Sequence, residues 1–237
     1  MTQGGGVNRQ HHSSTIPKLV FWLLHFCIIA VCGWIVYFNG FTLLGSWFGQ
    51  EWRLSDPVRA NLLLSCTVAY FLRHGVTLFY LLQRQMDWSE VFGLAAFMAF
   101  FEIGLLLVGG GAFRNHATDL GWLDGLAIIL FIAGSWLNTG SEVQRNWWKQ
   151  DAANKGKCYT GGLFRHSMHI NYFGDVVLFS GWSLLTSNLW TLLLPFAMAL
   201  MFAFLHIPAL DAYLAGRYGH AFNEYAKQTK RLIPYVW

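Results

Sequence analysis

The chain has 237 residues, 55% hydrophobic and only 12% charged, against ~25% charged in an average soluble domain. That excludes a soluble globular surface, and the same apolar content excludes disorder. A net charge of +4 with no basic run among aromatics leaves no footprint for nucleic acid. An integral membrane protein, with the lipid bilayer as partner, remains.

Residues 1–17 are polar and rich in Gly, Ser and His, and read as a flexible N-terminal tail in which His11 and His12 are solvated. The first apolar run, about 19–38, is too long for a signal-peptide core and lacks a small-residue cleavage site, so it reads as a retained span. Further runs lie at about 60–82, broken by Arg73 and His74, at 90–110, broken by Glu102, and at 121–138, 172–187 and 189–207. Each approaches the ~20 residues that cross a hydrocarbon core as helix, and none alternates as a barrel strand does. The expected fold is all-α: a polytopic membrane bundle of about six transmembrane helices.

Six spans put both ends on one side. Twelve of the 16 Lys and Arg then fall on the side of the termini, while Arg53, Arg59 and Arg114 fall on the other. Both termini are therefore expected in the cytoplasm. The same side holds the two longest polar stretches, 139–171 and 208–237, as suits a water-soluble cofactor bound beside a lipid-facing cavity. No internal repeat of the transporter kind is visible. Cys27, Cys32, Cys66 and Cys158 show no CxxC spacing, so neither zinc nor disulfides are expected.

Polar residues inside spans need a partner or a cavity. Glu102 is the deepest, and is either a proton donor to a substrate or one half of a pair with Arg73 or His74. In Asn138–Lys149, Asn138, Glu142, Arg145 and Lys149 recur at helical spacing on one face. Two cations there suit a phosphate-bearing ligand or lipid headgroups. Asn171, Tyr172 and Asp175 cluster at the start of a span, where an amide and a carboxylate can hold a carboxamide or a ribose hydroxyl. His166 and His169 are three apart with no evident third ligand, so no metal is expected.

Gly161-Gly162-Leu163-Phe164 followed by Asn171-Tyr172-Phe173-Gly174-Asp175 resembles the C-terminal signature of the steroid 5α-reductase family. It is also similar to the RHxNYxGD signature of the sterol reductases. The tail Arg217-Tyr218-Gly219, Tyr225 and Arg231-Leu-Ile-Pro234-Tyr235 resembles their shared C-terminus, and Gln144-Arg145 with Lys149 resembles an upstream stretch of the sterol reductases. The resemblance covers about 138–237, which it marks as a cofactor-binding region. Residues 18–137 are left as membrane helices on the substrate side.

The resemblance implies NADPH as cofactor and hydride transfer to a carbon–carbon double bond of a sterol-like or isoprenoid lipid. Asn138, Glu142, Arg145, Lys149, Asn171, Tyr172, Asp175 and Tyr218 become the cofactor contacts. Glu102 is the leading catalytic acid, with Tyr80 and His74 behind it. The chain departs from the pattern at Met168 and Ile170, where bacterial relatives carry Arg and Pro around the histidine, and at Leu214, which replaces a polar contact. The same membrane fold group contains isoprenylcysteine and phospholipid methyltransferases, so an S-adenosylmethionine-dependent methyltransferase is the alternative. A non-enzymatic lipid-binding protein is the third reading.

Overall fold

The computed structural model describes residues 14–237; His11, His12 and the tail up to residue 13 lie outside the described residues. The helices are α1 (Thr15–Tyr37), α2 (Gly40–Trp47), α3 (Pro57–Val76), α4 (Trp88–Gly110), α5 (Trp122–Ser135), α6 (Ser141–Gln150), α7 (Ile170–Leu184), α8 (Leu193–Met201), α9 (Ile207–Tyr218) and α10 (His220–Gln228). π-helical turns at Thr77–Leu81, Trp136–Gly140 and Phe202–His206 extend α3, join α5 to α6 and join α8 to α9. No strand occurs among the described residues.

Among the described residues, five helical segments are long and apolar enough to cross a membrane: Thr15–Tyr37, Pro57–Leu81, Trp88–Gly110, Trp122–Gln150 and Leu189–Tyr218. The run expected at 172–187 is α7, a helix of 15 residues, which rises ~22 Å against a core of ~30 Å. Its end is fastened by Thr186 and Thr191, whose hydroxyls bond to each other at 3.0 Å and both donate to the Ser183 carbonyl (2.7 and 2.9 Å). At the other end, α1 begins at Thr15, earlier than its apolar run. The buried Ser14 hydroxyl accepts the Met86 N–H at 3.1 Å and the Lys18 ammonium donates to the Leu82 carbonyl.

By internal contacts the chain divides into two compact units. The first, which among the described residues comprises 14–129 with 181–192, packs α1, α3 and α4 around Phe21, Ile35, Leu63 and Leu105, all buried. Its most polar feature is an ion network. Arg59, only 1% exposed, donates to Asp124, to Asp56 (3.3 Å), to Thr118 Oγ1 (2.9 Å) and to the Leu185 carbonyl (2.7 Å). Arg114 donates to Asp56 at 2.9 Å and to the Gly109 carbonyl at 2.6 Å. Asp56 also caps α3 by accepting the Arg59 N–H, with Pro57 at the first helical position.

The second unit is 130–180 with 193–237. Here α5 and α7 touch backbone to backbone. A Cβ on Gly134 would lie 2.2 Å from the Leu178 nitrogen, and one on Gly174 would lie 2.4 Å from the Asn138 nitrogen. Two glycines forty residues apart thus set the separation of the helices that carry Asn138 and Asn171.

Candidate functional site

The second unit gathers most of the polar residues singled out in the sequence. The Trp136–Gly140 π turn carries Asn138, and π turns inside helices are frequent at functional sites. Asn138 Nδ2 donates to the Asn171 carbonyl at 3.1 Å, Asn171 Nδ2 donates to Glu142 Oε1 at 3.0 Å, and Arg145 pairs with the other oxygen of Glu142. Four of the expected cofactor residues therefore form one hydrogen-bonded chain from the π turn along α6. It is possible because 138, 142 and 145 share a helical face and α7 starts beside it.

At the far end of this chain lies a cavity of about 60 Å³ lined by Arg145, Lys149, Tyr218 and Leu214, with Cys158, Tyr159, Phe164 and Tyr225 in its wall. The volume is small beside the ~300–1,000 Å³ of ordinary ligand pockets, so it takes one moiety of a ligand. Its electrostatics are lopsided. Lys149 lies within electrostatic reach of Arg145 and of Arg217, and Glu142 is the carboxylate paired with Arg145. Arg145 also lies over the Phe164 ring at 5.4 Å and Arg217 over Tyr218 at 5.5 Å. Burial pushes the Cys158 thiol up, and Lys149 and Arg145 offset that only in part. Burial likewise raises the Tyr159 and Tyr225 phenols.

A clasp holds the floor of this region. Gln144 Oε1 accepts the Leu163 N–H at 2.9 Å. Gly162 has φ +55°, and a Cβ there would lie 2.3 Å from Gln144 Oε1, so this turn needs glycine. The main chain of Met168 and His169 bonds to the Lys230 and Arg231 carbonyls at 2.8 and 2.9 Å, and Tyr225 donates to the Phe164 carbonyl. His169 Nε2 meets Asp211 at 2.8 Å, while His166 Nδ1 meets the Tyr235 hydroxyl. The two histidines thus serve different partners in the clasp. Tyr172 stacks on Phe202 with centroids 4.6 Å apart, and Asp175 is half-buried one turn beyond Asn171. These two belong to α7 packing and its polar end, below the cavity rather than among its lining residues.

The expected catalytic residues lie in the first unit. Glu102 is 2% exposed. The sequence left Glu102 as either a proton donor or one half of a pair with Arg73 or His74; the pair that forms is with His25, whose Nε2 lies 2.7 Å from Glu102 Oε1. This corrects the expectation: His25 is on α1, facing α4, and the helix positions of 73 and 74 leave Glu102 to it. His74 is next to the pair, its ring 5.3 Å from that of His25. Tyr80 sits in the Thr77–Leu81 turn and is half-exposed. Sequence reasoning missed His25 and noted Gln144 and Arg217 only as marks of the resemblance; a histidine in the first apolar run was the available signal, since such a residue demands a partner.

The family model described as "Protein of unknown function (DUF1295)" matches residues 78–229. A steroid 5-alpha-reductase DET2 of Gossypium hirsutum is 28% identical over 127 residues, covering 49% of this chain and 48% of the relative. A probable O-methyltransferase ustE of Ustilaginoidea virens is 35% identical over 91 residues, covering 38% of this chain and 32% of the relative. The chain spans about half the length of the first relative and about a third of the second. With the family model matching well over half of its residues, the chain belongs to the DUF1295 family.

Proposed function

We propose that the protein is a membrane enzyme that uses NADPH to reduce a carbon–carbon double bond of a sterol-like or isoprenoid lipid. The observation that carries the reading is the pair of cations, Arg145 and Lys149, in the lining of an aromatic-walled cavity, with Arg217 within electrostatic reach of Lys149 and Glu142 paired with Arg145. Such a site stabilises phosphates and opposes a sulfonium cation. When bound, NADPH supplies the hydride. Arg145 and Lys149 hold phosphate oxygens, and the Asn138–Asn171–Glu142 chain offers amide and carboxylate groups to a carboxamide or ribose hydroxyl. Reduction also consumes one proton, which this reading assigns to Glu102. His25 holds one carboxyl oxygen, while Oε2 has no partner among the described residues and remains for a substrate.

The second reading is an S-adenosylmethionine-dependent methyltransferase. It is favoured by the ustE similarity and by the rings of Tyr159, Phe164, Tyr218 and Tyr225 around the cavity, which can face a sulfonium. Equilibrium binding of NADPH, NADH and S-adenosylmethionine to the purified protein in detergent decides. NADPH should bind about tenfold or more tighter than NADH, as one additional charge-assisted phosphate contact implies, and Arg145→Ala should erase most of that difference. Saturable S-adenosylmethionine binding without NADPH binding overturns the reductase reading.

A further inference from the structure

A second cleft, of about 740 Å³, lies in the first unit and is lined by Gln50, Glu51, Arg53, Asn115 and the aromatic residues Trp52 and Phe113. It is far larger than the cavity described above and falls within the ~300–1,000 Å³ range of small-molecule sites. It sits where membrane-length helices end: α1 stops at Tyr37, α4 stops at Gly110 and α3 starts at Pro57. That is the level of the lipid headgroups, where aromatic belts form. Phe48 stacks on Trp52 at 5.5 Å and Phe113 meets Trp52 edge-on at 5.2 Å, which makes an apolar flank.

The walls are fixed in advance. The N–H groups of Ser55 and Asp56 both donate to the Gly110 carbonyl at 3.0 Å, and Ser55 Oγ donates to the Arg114 carbonyl at 2.8 Å. The charges are available. At this end Arg59, Arg114, Asp56 and Asp124 are occupied with one another. Glu51 and Arg53 are 3.7 Å apart with side chains 92% and 76% exposed. An exposed pair of this kind is worth under ~1 kcal/mol, so both groups exchange partners cheaply. One anion and one cation side by side match a ligand that carries one of each, and the aromatic flank matches a ligand with an apolar remainder.

We propose that this cleft binds the headgroup of a zwitterionic phospholipid, with its phosphate on Arg53, its ammonium on Glu51 and its acyl chains leaving past Phe48, Trp52 and Phe113. This site is independent of the cofactor reading. The test is native mass spectrometry of the full chain, purified in detergent, stripped of lipid and titrated with phosphatidylethanolamine, phosphatidylglycerol or soluble phosphoethanolamine. Arg53→Ala and Glu51→Gln should each lower phosphatidylethanolamine retention about fivefold, as loss of one charge contact at a rim implies. Lys227→Ala should match wild type. The exchange Glu51→Arg with Arg53→Glu should restore most of the retention. Both cleft residues are exposed, so helicity and gel filtration should be unchanged. Equal retention in all variants overturns the proposal. So does phosphatidylglycerol binding as well as phosphatidylethanolamine, or phosphoethanolamine binding as tightly as the lipid.

Discussion

Replacing Arg59 with Met probes the ion network of the first unit, and the structure indicates where the cost falls. Without the guanidinium, Asp56 still accepts from Arg114 at 2.9 Å, from the Thr118 N–H at 3.0 Å and from Thr118 Oγ1 at 2.9 Å. Asp124 keeps the Gly121 N–H at 2.8 Å. The loss is thus chiefly one buried carboxylate without a counter-charge, worth ~3–5 kcal/mol. At ~2–4 °C per kcal/mol for a chain of this size, Arg59→Met should lower Tm by about 10 °C at pH 7. Removing the orphaned partner as well, in Arg59→Met with Asp124→Leu, should recover at least half of that. Thermal unfolding in detergent, followed by circular dichroism, measures both. A single variant within ~2 °C of wild type, or a double variant worse than the single, refutes the reasoning. The pH dependence follows with a definite sign. Burial opposes the Asp56 charge, but hydrogen bonds from Thr118, Arg59 and Arg114 outweigh it and hold the carboxyl below its usual value. The stabilisation is therefore complete above pH ~4, the unfolded value, and is lost as pH falls through the lower folded one.

Glu102→Gln keeps the shape of the His25 contact while removing the acid. If Glu102 donates the proton, lipid-dependent NADPH oxidation should fall ~10²-fold or more with little change in Tm; a fall in Tm with unchanged turnover assigns the pair to structure alone. Because burial raises the Cys158 thiol, maleimide labelling of Cys158 at pH 7 should be slow, accelerate toward pH 9 and be blocked by bound cofactor. The distribution of Lys and Arg predicts opposite sidedness for single cysteines placed at Lys155 and His116: Lys155 labels from the cytoplasmic side and His116 from the other, and labelling of both from one side refutes a crossing by Trp122–Gln150.

Membrane helices are legible in sequence because length and hydropathy are local properties, and the helical face of Asn138, Glu142 and Arg145 is legible because its period is local too. What escaped depends on distance along the chain. His25 and Glu102 are separated by 77 residues, and nothing in either segment names the other. Arg59 and Arg114 counted only as charges on the sparse side, whereas the structure ties a buried Arg59 and a partly buried Arg114 into a network that leaves Arg53 exposed. The short α7 escaped because its last turn is apolar in composition, yet the hydroxyls of Thr186 and Thr191 claim the carbonyl of Ser183. The π turns leave no compositional mark.

The contact of Gly134 with α7 and of Gly174 with the Asn138 backbone separates two kinds of change. Any side chain at either glycine must push the helices apart and break the relay of amides from Asn138 to Glu142. Substitutions at 142, 145, 149 or 217 alter charge without touching that spacing. The scaffold therefore behaves as a gauge block with interchangeable jaws: the ligand it selects can be re-tuned one side chain at a time, while the two glycines remain the dimension to which every version is built.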